Sequence, residues 1–208
     1  MMTNRGRSQS NTQGASSSSS QPMGRRMIGF MLAHEQFTVP ELLELGIAAE
    51  QAGFDLLATS DHLQPWQANE GHSGEAWVTF GALGQRTRHA WMGTTVTCPT
   101  LRYNPAVVAE AFATLSHLSP GRIFLGVGSG EALNEEAATG EWPTWSERSE
   151  RLVEATEIIR QLWTGLARES PGKVLQRKCE AVRPARRADS SADGGQWPQS
   201  HAPFRPVC

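Results

Sequence analysis

From Met27 onward, short apolar runs alternate with longer amphipathic ones, and this alternation limits the folds open to the chain. Met27–Ala33, Phe54–Ser60, Trp91–Thr97 and Arg122–Val127 read as buried strands. Between them lie helical stretches. Thr38-Val39-Pro40-Glu41 is a capping box with proline in the first turn. The helix that follows repeats apolar residues at Leu42, Leu45, Ala49 and Ala52 and stops at Gly53. A second helix spans about Gly74 to Thr87, and Asn104-Pro105 opens a third that runs to Leu118. Thr144–Glu147 forms another capping box, opening a helix to Trp163. Four βα units in a row imply an α/β protein with a parallel sheet covered by helices.

A barrel and a doubly wound sheet both satisfy that pattern. Polar residues of unusual type follow several different strands, at 34–36, 60–66, 94–100 and 128–134. A barrel draws its site from the ends of many strands, whereas a doubly wound sheet gathers it at one switch point. The distribution favours a (β/α)8 barrel, of which this chain carries the first four units. Four units cannot close eight strands. Beyond Gly165, Arg, Pro, Ala, Ser and Gly dominate, apolar periodicity ends and no fifth strand is readable. Residues 166–208 therefore read either as a natural polar tail or as the product of a shifted reading frame. Residues 1–25, with the run Ser16–Ser20, read as a disordered leader.

Charge separates the same segments. Residues 27–165 hold seven Arg, no Lys and seventeen acidic residues, while residues 1–26 and 166–208 are both net basic. So acidic a middle argues against a nucleic-acid partner there. Cys98, Cys179 and Cys208 lack metal or disulfide spacing, and no metal site is expected. No apolar stretch is long enough to span a membrane. Arg25-Arg26 precedes an apolar run too short for a signal-peptide core, so a cytoplasmic location is expected.

Three segments could carry chemistry. In Ser60-Asp61-His62-Leu63-Gln64-Pro65-Trp66 a histidine sits at a strand's C-terminal end, where it can take a substrate proton near neutral pH. A loop histidine beside a helix-capping aspartate explains the same residues. Gly93–Thr100 ends the third strand with small and hydroxylated side chains that would let a flat ring approach. A buried β-branched strand explains Thr94–Thr97 equally well. Gly126-Val127-Gly128-Ser129-Gly130-Glu131 offers backbone donors followed by a carboxylate, a candidate acid or base. Helix-dipole stabilisation explains Glu131 as well. The dinucleotide fingerprint fails in both glycine registers, and no GK[ST] follows for a nucleotide-binding loop.

Taken together, His34-Glu35-Gln36-Phe37, the SDHxQPW run at 60–66, TxRYNP at 100–105 and GVGSGEALNE at 126–135 resemble one group. It is the F420-dependent glucose-6-phosphate dehydrogenase branch of the luciferase-like superfamily. Residues 66–73 and 96–100 look closer to the related F420-dependent hydroxymycolic acid dehydrogenases. The resemblance covers about 27–165. It implies coenzyme F420, with FMN as the alternative cofactor, and an alcohol or sugar-phosphate substrate. It also implies roles. His62 would take the hydroxyl proton, Glu131 would supply a proton to the reduced ring, and Trp66 would pack beside the reacting centre. Asp61, Cys98, Ser129, Gly130 and Asn134 would line the cofactor, with Thr95-Val96 as a non-prolyl cis peptide behind the ring. Members are often homodimers. The residues that bind substrate phosphate belong to the second half of such barrels, and this chain has no matching region.

Overall fold

The computed structural model describes residues 26–164 together with 168–169 and 178–179. Strands β1 (Gly29–Met31), β2 (Leu56–Thr59), β3 (Trp91–Thr97) and β4 (Ile123–Val127) form one sheet, all parallel, in the order β1-β2-β3-β4. Sequential order with every strand parallel is barrel order, because a doubly wound sheet reverses direction at its switch point. Each strand leads into a helix: α1 (Val39–Gln51), α2 (Ala76–Arg86), α3 (Pro105–Leu118) and, after a short α4 (Ala132–Thr139), α5 (Trp145–Thr164).

The caps fall where the residue types place them. Glu41 accepts hydrogen bonds from the Thr38 N–H (2.9 Å) and the Thr38 hydroxyl (2.7 Å). Asn104 Oδ1 caps α3 through the Ala106 N–H at 2.9 Å. Helix α1 packs on α2, α2 on α3 and α3 on α5, so the helices follow the strand order. The core lies between them and one face of the sheet. Leu32, Leu57 and Met92 meet Leu42, Phe80, Leu83, Val108, Phe112 and Ile159 there, all buried.

Two elements depart from the sequence reading. Helix α4 was not expected as a separate element. Its sequence, Ala-Leu-Asn-Glu-Glu-Ala-Ala-Thr, has too few apolar residues to show a helical stripe. Beyond Gly165, where no strand was expected, β5 (Arg168–Glu169) and β6 (Lys178–Cys179) pair antiparallel, apart from the main sheet. Two-residue strands are below the length at which alternation can register. The leader expected at 1–25 and the rest of the tail lie outside the described residues. Among the described residues, no helix is long and apolar enough to cross a membrane.

Glu50, on the last turn of α1, fixes the entry to β3. Its carboxylate accepts the backbone N–H groups of Arg88, His89 and Ala90 at 2.7–3.0 Å. Burial alone would raise its pKa, but these three donors outweigh burial and hold the carboxyl below the usual range. A carboxyl with a depressed folded-state pKa contributes stability above its unfolded pKa and loses it as pH falls through the folded one. Glu50→Gln is therefore expected to cost about 1–2 kcal/mol near neutral pH. The difference from wild type should shrink in acid, as measured by urea unfolding at both pH values.

Candidate active site

The polar residues singled out in the sequence gather at the C-terminal ends of the strands. Ser60 through Trp66 follow β2, and Glu131 begins the turn into α4. His62 is the centre. Its Nδ1 lies 2.6 Å from Glu35 Oε1, and its Nε2 lies 4.0 Å from Glu131 Oε2. Trp66 Nε1 approaches the same Nδ1 at 2.9 Å, with the rings tilted and 5.7 Å apart. His62 thus has both Trp66 and Glu131 within 4.0 Å.

Nδ1 cannot donate to Glu35 and accept from Trp66 at once, so charge decides between them. Burial pushes the Glu35 carboxyl up. Hydrogen bonds from the Ser60 hydroxyl (2.7 Å), its own backbone and His62 bring it below the ordinary carboxylate range. Glu35 is therefore an anion, and a charge-assisted bond outweighs a neutral one. Nδ1 carries the proton and gives it to Glu35. Nε2, on the other edge of the ring, faces Glu131. The Trp66 indole N–H, 2.9 Å from the same Nδ1, is the weaker neutral competitor for that position, and Trp66 is largely exposed.

Glu35 is the functional residue that sequence reasoning passed over. It belongs to the quoted His34-Glu35-Gln36-Phe37 run directly after β1, and that position was the signal. Its neighbour His34 has a different task. It is buried between the hydroxyls of Thr59 (2.5 Å) and Thr79 (2.9 Å), where burial lowers its pKa. It ties the first turn of α2 to the end of β2.

Asp61 faces inward and is almost fully buried. Its Oδ1 accepts from Arg102 Nη2 (2.7 Å) and the Tyr103 hydroxyl (3.1 Å), and its Oδ2 accepts from the Thr97 hydroxyl (2.7 Å). Arg102 Nη2 also donates to the Asp61 carbonyl at 2.6 Å. Burial, then the Asp61 charge, pushes the Tyr103 phenol well up, so it remains a donor. Asn134, also buried, has its Oδ1 on the N–H groups of Leu63 (2.9 Å) and Gln64 (3.3 Å), while Gln64 Nε2 donates to the Leu133 carbonyl at 2.6 Å. The His62 loop is thereby fastened to the first turn of α4, the turn that carries Glu131.

Thr95 and Val96 are exposed at the end of β3, although residues 92–94 and 97–100 on either side are buried. The peptide bond between them is cis. Glycines just after the next strand make room for this segment. A Cβ at Gly128 would stand 2.4 Å from Val96 Cγ2, and one at Gly130 would stand 2.8 Å from Cys98 Sγ. The Gly128 N–H donates to the Thr97 carbonyl at 2.9 Å. These glycines therefore serve close packing of the end of β3 against the loop after β4, beside the donor role read from the sequence. Cys98 is buried and burial raises its pKa, so it is a neutral thiol and not a nucleophile. Ser129 and Gly130 are half-buried between this segment and Glu131. Among the described residues, no cluster of His, Cys, Asp and Glu could hold a metal ion.

Parallel strands in barrel order, with a carboxylate–histidine pair and a glycine loop at their C-terminal ends, define a class that comparison with known proteins makes specific. The Luciferase-like monooxygenase family profile matches residues 10–206, and the chain belongs to that family. Among curated relatives, the F420-dependent hydroxymycolic acid dehydrogenase of Mycobacterium tuberculosis is 54% identical over 67% of this chain and 39% of its own. The F420-dependent glucose-6-phosphate dehydrogenase of Gordonia bronchialis is 52% identical over 66% of this chain and 41% of its own. Among solved structures, an F420-dependent secondary alcohol dehydrogenase in complex with an F420-acetone adduct aligns with a TM-score of 0.71 and 38% identity. That alignment covers 76% of this chain and 49% of the other. The described residues thus form four βα units of the luciferase-like α/β barrel fold, and the chain spans 39–49% of the length of these relatives.

Proposed function

We propose that these residues form the reacting half of an F420-dependent dehydrogenase that oxidises a CH–OH group of a small molecule, an alcohol or a sugar phosphate. The observation that carries the proposal is the relay Glu35–His62–Glu131 beside the exposed Thr95-Val96 segment. The relatives named above support the coenzyme and the reaction class. Thr95, Val96, Ser129 and Gly130 offer a flat, half-open wall suited to one face of a ring. Thr95, Val96, Ser129 and Gly130 carry no charge, so the wall fits the ring of the coenzyme better than its anionic tail.

When bound, the coenzyme supplies a hydride acceptor. The protein supplies the proton chemistry. Nε2 of His62 takes the hydroxyl proton as the carbon gives up its hydride, and Glu35 steadies the imidazolium that results. Glu131, on the other side of Nε2 and 46% exposed, can hold or release a proton at the same opening. The Trp66 ring lies against the His62 imidazole, 5.7 Å between centroids, and would pack beside the substrate. Asp61 and Asn134 position the loop from below, and their described polar contacts are with protein groups.

The test is a titration of the chain with F420 and with FMN, followed by absorbance. Saturable F420 binding, tighter than FMN binding and weakened by Val96→Arg, is expected. Tighter FMN binding would move the site to the flavin-dependent members of the family.

A further inference from the structure

Helix α4 carries Glu131 at its N-cap, and its two buried residues, Asn134 and Glu135, are both polar. Asn134 ties the helix to the loop after β2 through the Leu63 and Gln64 N–H groups. Glu135 ties it to the loop after β3. It is 2% exposed, and its Oε2 accepts the Arg102 N–H at 3.2 Å. The Arg102 guanidinium in turn holds the carboxylate and carbonyl of Asp61, back on the loop after β2. These ties form a closed circuit through three loops. It leaves from Asp61 and returns at Leu63, the two neighbours of His62 in the chain. A second contact places Glu135 against the turn that presents Glu131. Gly130 has φ +83°, and a Cβ there would stand 2.7 Å from Glu135 Cγ and 2.8 Å from Cys98 Sγ. The residue before Glu131 is thus gripped between the Glu135 side chain and Cys98.

Burying a carboxyl costs free energy that an apolar side chain of the same size does not. Here burial pushes the Glu135 carboxyl up, and the N–H and charge of Arg102 offset this only in part. What the carboxyl adds over an apolar side chain is an acceptor that fixes the Arg102 backbone. We infer that Glu135 is a positioning residue, which holds the Arg102 backbone and the Gly130 turn together and so keeps Glu131 opposite Nε2 of His62. It acts through Glu131 and the His62 loop, and its described polar contacts are with protein groups. This role presupposes the His62–Glu131 pair of the proposed relay but not the identity of the coenzyme.

The test needs no coenzyme. It is a mutant cycle read by nitrogen NMR on the full chain, labelled at the histidine ring nitrogens. Glu131→Gln is expected to move the His62 Nε2 signal, because it removes a carboxylate 4.0 Å away. Glu135→Met keeps the volume and removes the acceptor, and in that background the response to Glu131→Gln should be largely lost. Glu135→Gln retains an oxygen for the Arg102 N–H and should keep the full response. If Glu135→Met loses its far-UV spectrum, Glu135→Asp, one methylene short of Arg102, gives the same readout. A merely structural role would lower stability in these variants and leave the response intact. A full response in folded Glu135→Met or Glu135→Asp, or none in Glu135→Gln, would overturn the inference. Loss of fold in both the Met and Asp variants would assign Glu135 to the fold alone and overturn it too. No response to Glu131→Gln with Glu135 in place would overturn the relay itself, and this role with it.

Discussion

Replacing Asp61 by alanine is expected to cost about 3–5 kcal/mol of folding stability, the range for removing one member of a buried ion pair. The carboxylate and the Arg102 guanidinium are 2% and 11% exposed, with 2.7 Å between them. Without Asp61 the guanidinium loses its anionic partner and a second donor of Arg102, the already unpartnered Nε, offers no compensation. The hydroxyls of Thr97 and Tyr103 lose their acceptor in the same step. The size of the effect comes from the charge left behind and not from the net worth of the pair. Asp61→Asn keeps an acceptor for Arg102 and should cost clearly less. Urea unfolding monitored by circular dichroism measures both. An alanine variant within about 1 kcal/mol of wild type would show that water reaches Arg102 and that the network is not closed.

His62→Asn is expected to lower the rate of F420 reduction by an alcohol about 10²- to 10⁴-fold, the usual contribution of a positioned general base. Asparagine cannot accept the hydroxyl proton, although it can still reach Glu35. Binding of the coenzyme should change little, because the wall at Thr95, Val96 and Ser129 is untouched. Glu35→Gln should give a smaller loss, since Nε2 survives but the imidazolium is no longer steadied by an anion. Single-turnover reduction, compared with the binding titration, separates these outcomes. A His62→Asn chain that binds and reduces F420 at the wild-type rate would remove His62 from the reaction.

The strand and helix pattern was legible because the strands are runs of apolar residues and the helices carry their own caps. β3 is a seven-residue run with Thr94-Thr95-Val96-Thr97 at its end, and the structure gives the same bounds as the sequence. Barrel order was readable only indirectly, from polar residues following several strands, and the register of four parallel strands settled it. The His62–Trp66 contact was within reach because the two are four residues apart. The rest of the site was not, for a physical reason. Glu35 meets His62 across 27 positions and Asp61 meets Arg102 across 41, so no local spacing announces either pair. The inward turn of Asp61 depends on Arg102 and Tyr103, which the sequence shows only as part of a polar loop after β3. Asn134 carries the same lesson. Its amide oxygen is committed to the Leu63 and Gln64 backbone, a contact between α4 and a loop 71 and 70 positions away.

All of the proposed proton chemistry rests on which nitrogen of His62 is protonated. A long-range proton–nitrogen correlation spectrum of the chain, labelled at the histidine ring nitrogens and recorded in mild base, reads this directly. With Glu35 ionised 2.6 Å from Nδ1, we predict a protonated Nδ1 and a lone pair on Nε2, with the assignment unchanged in Trp66→Phe. A protonated Nε2, with Nδ1 accepting from the Trp66 indole, would leave no base facing Glu131 and would contradict the account.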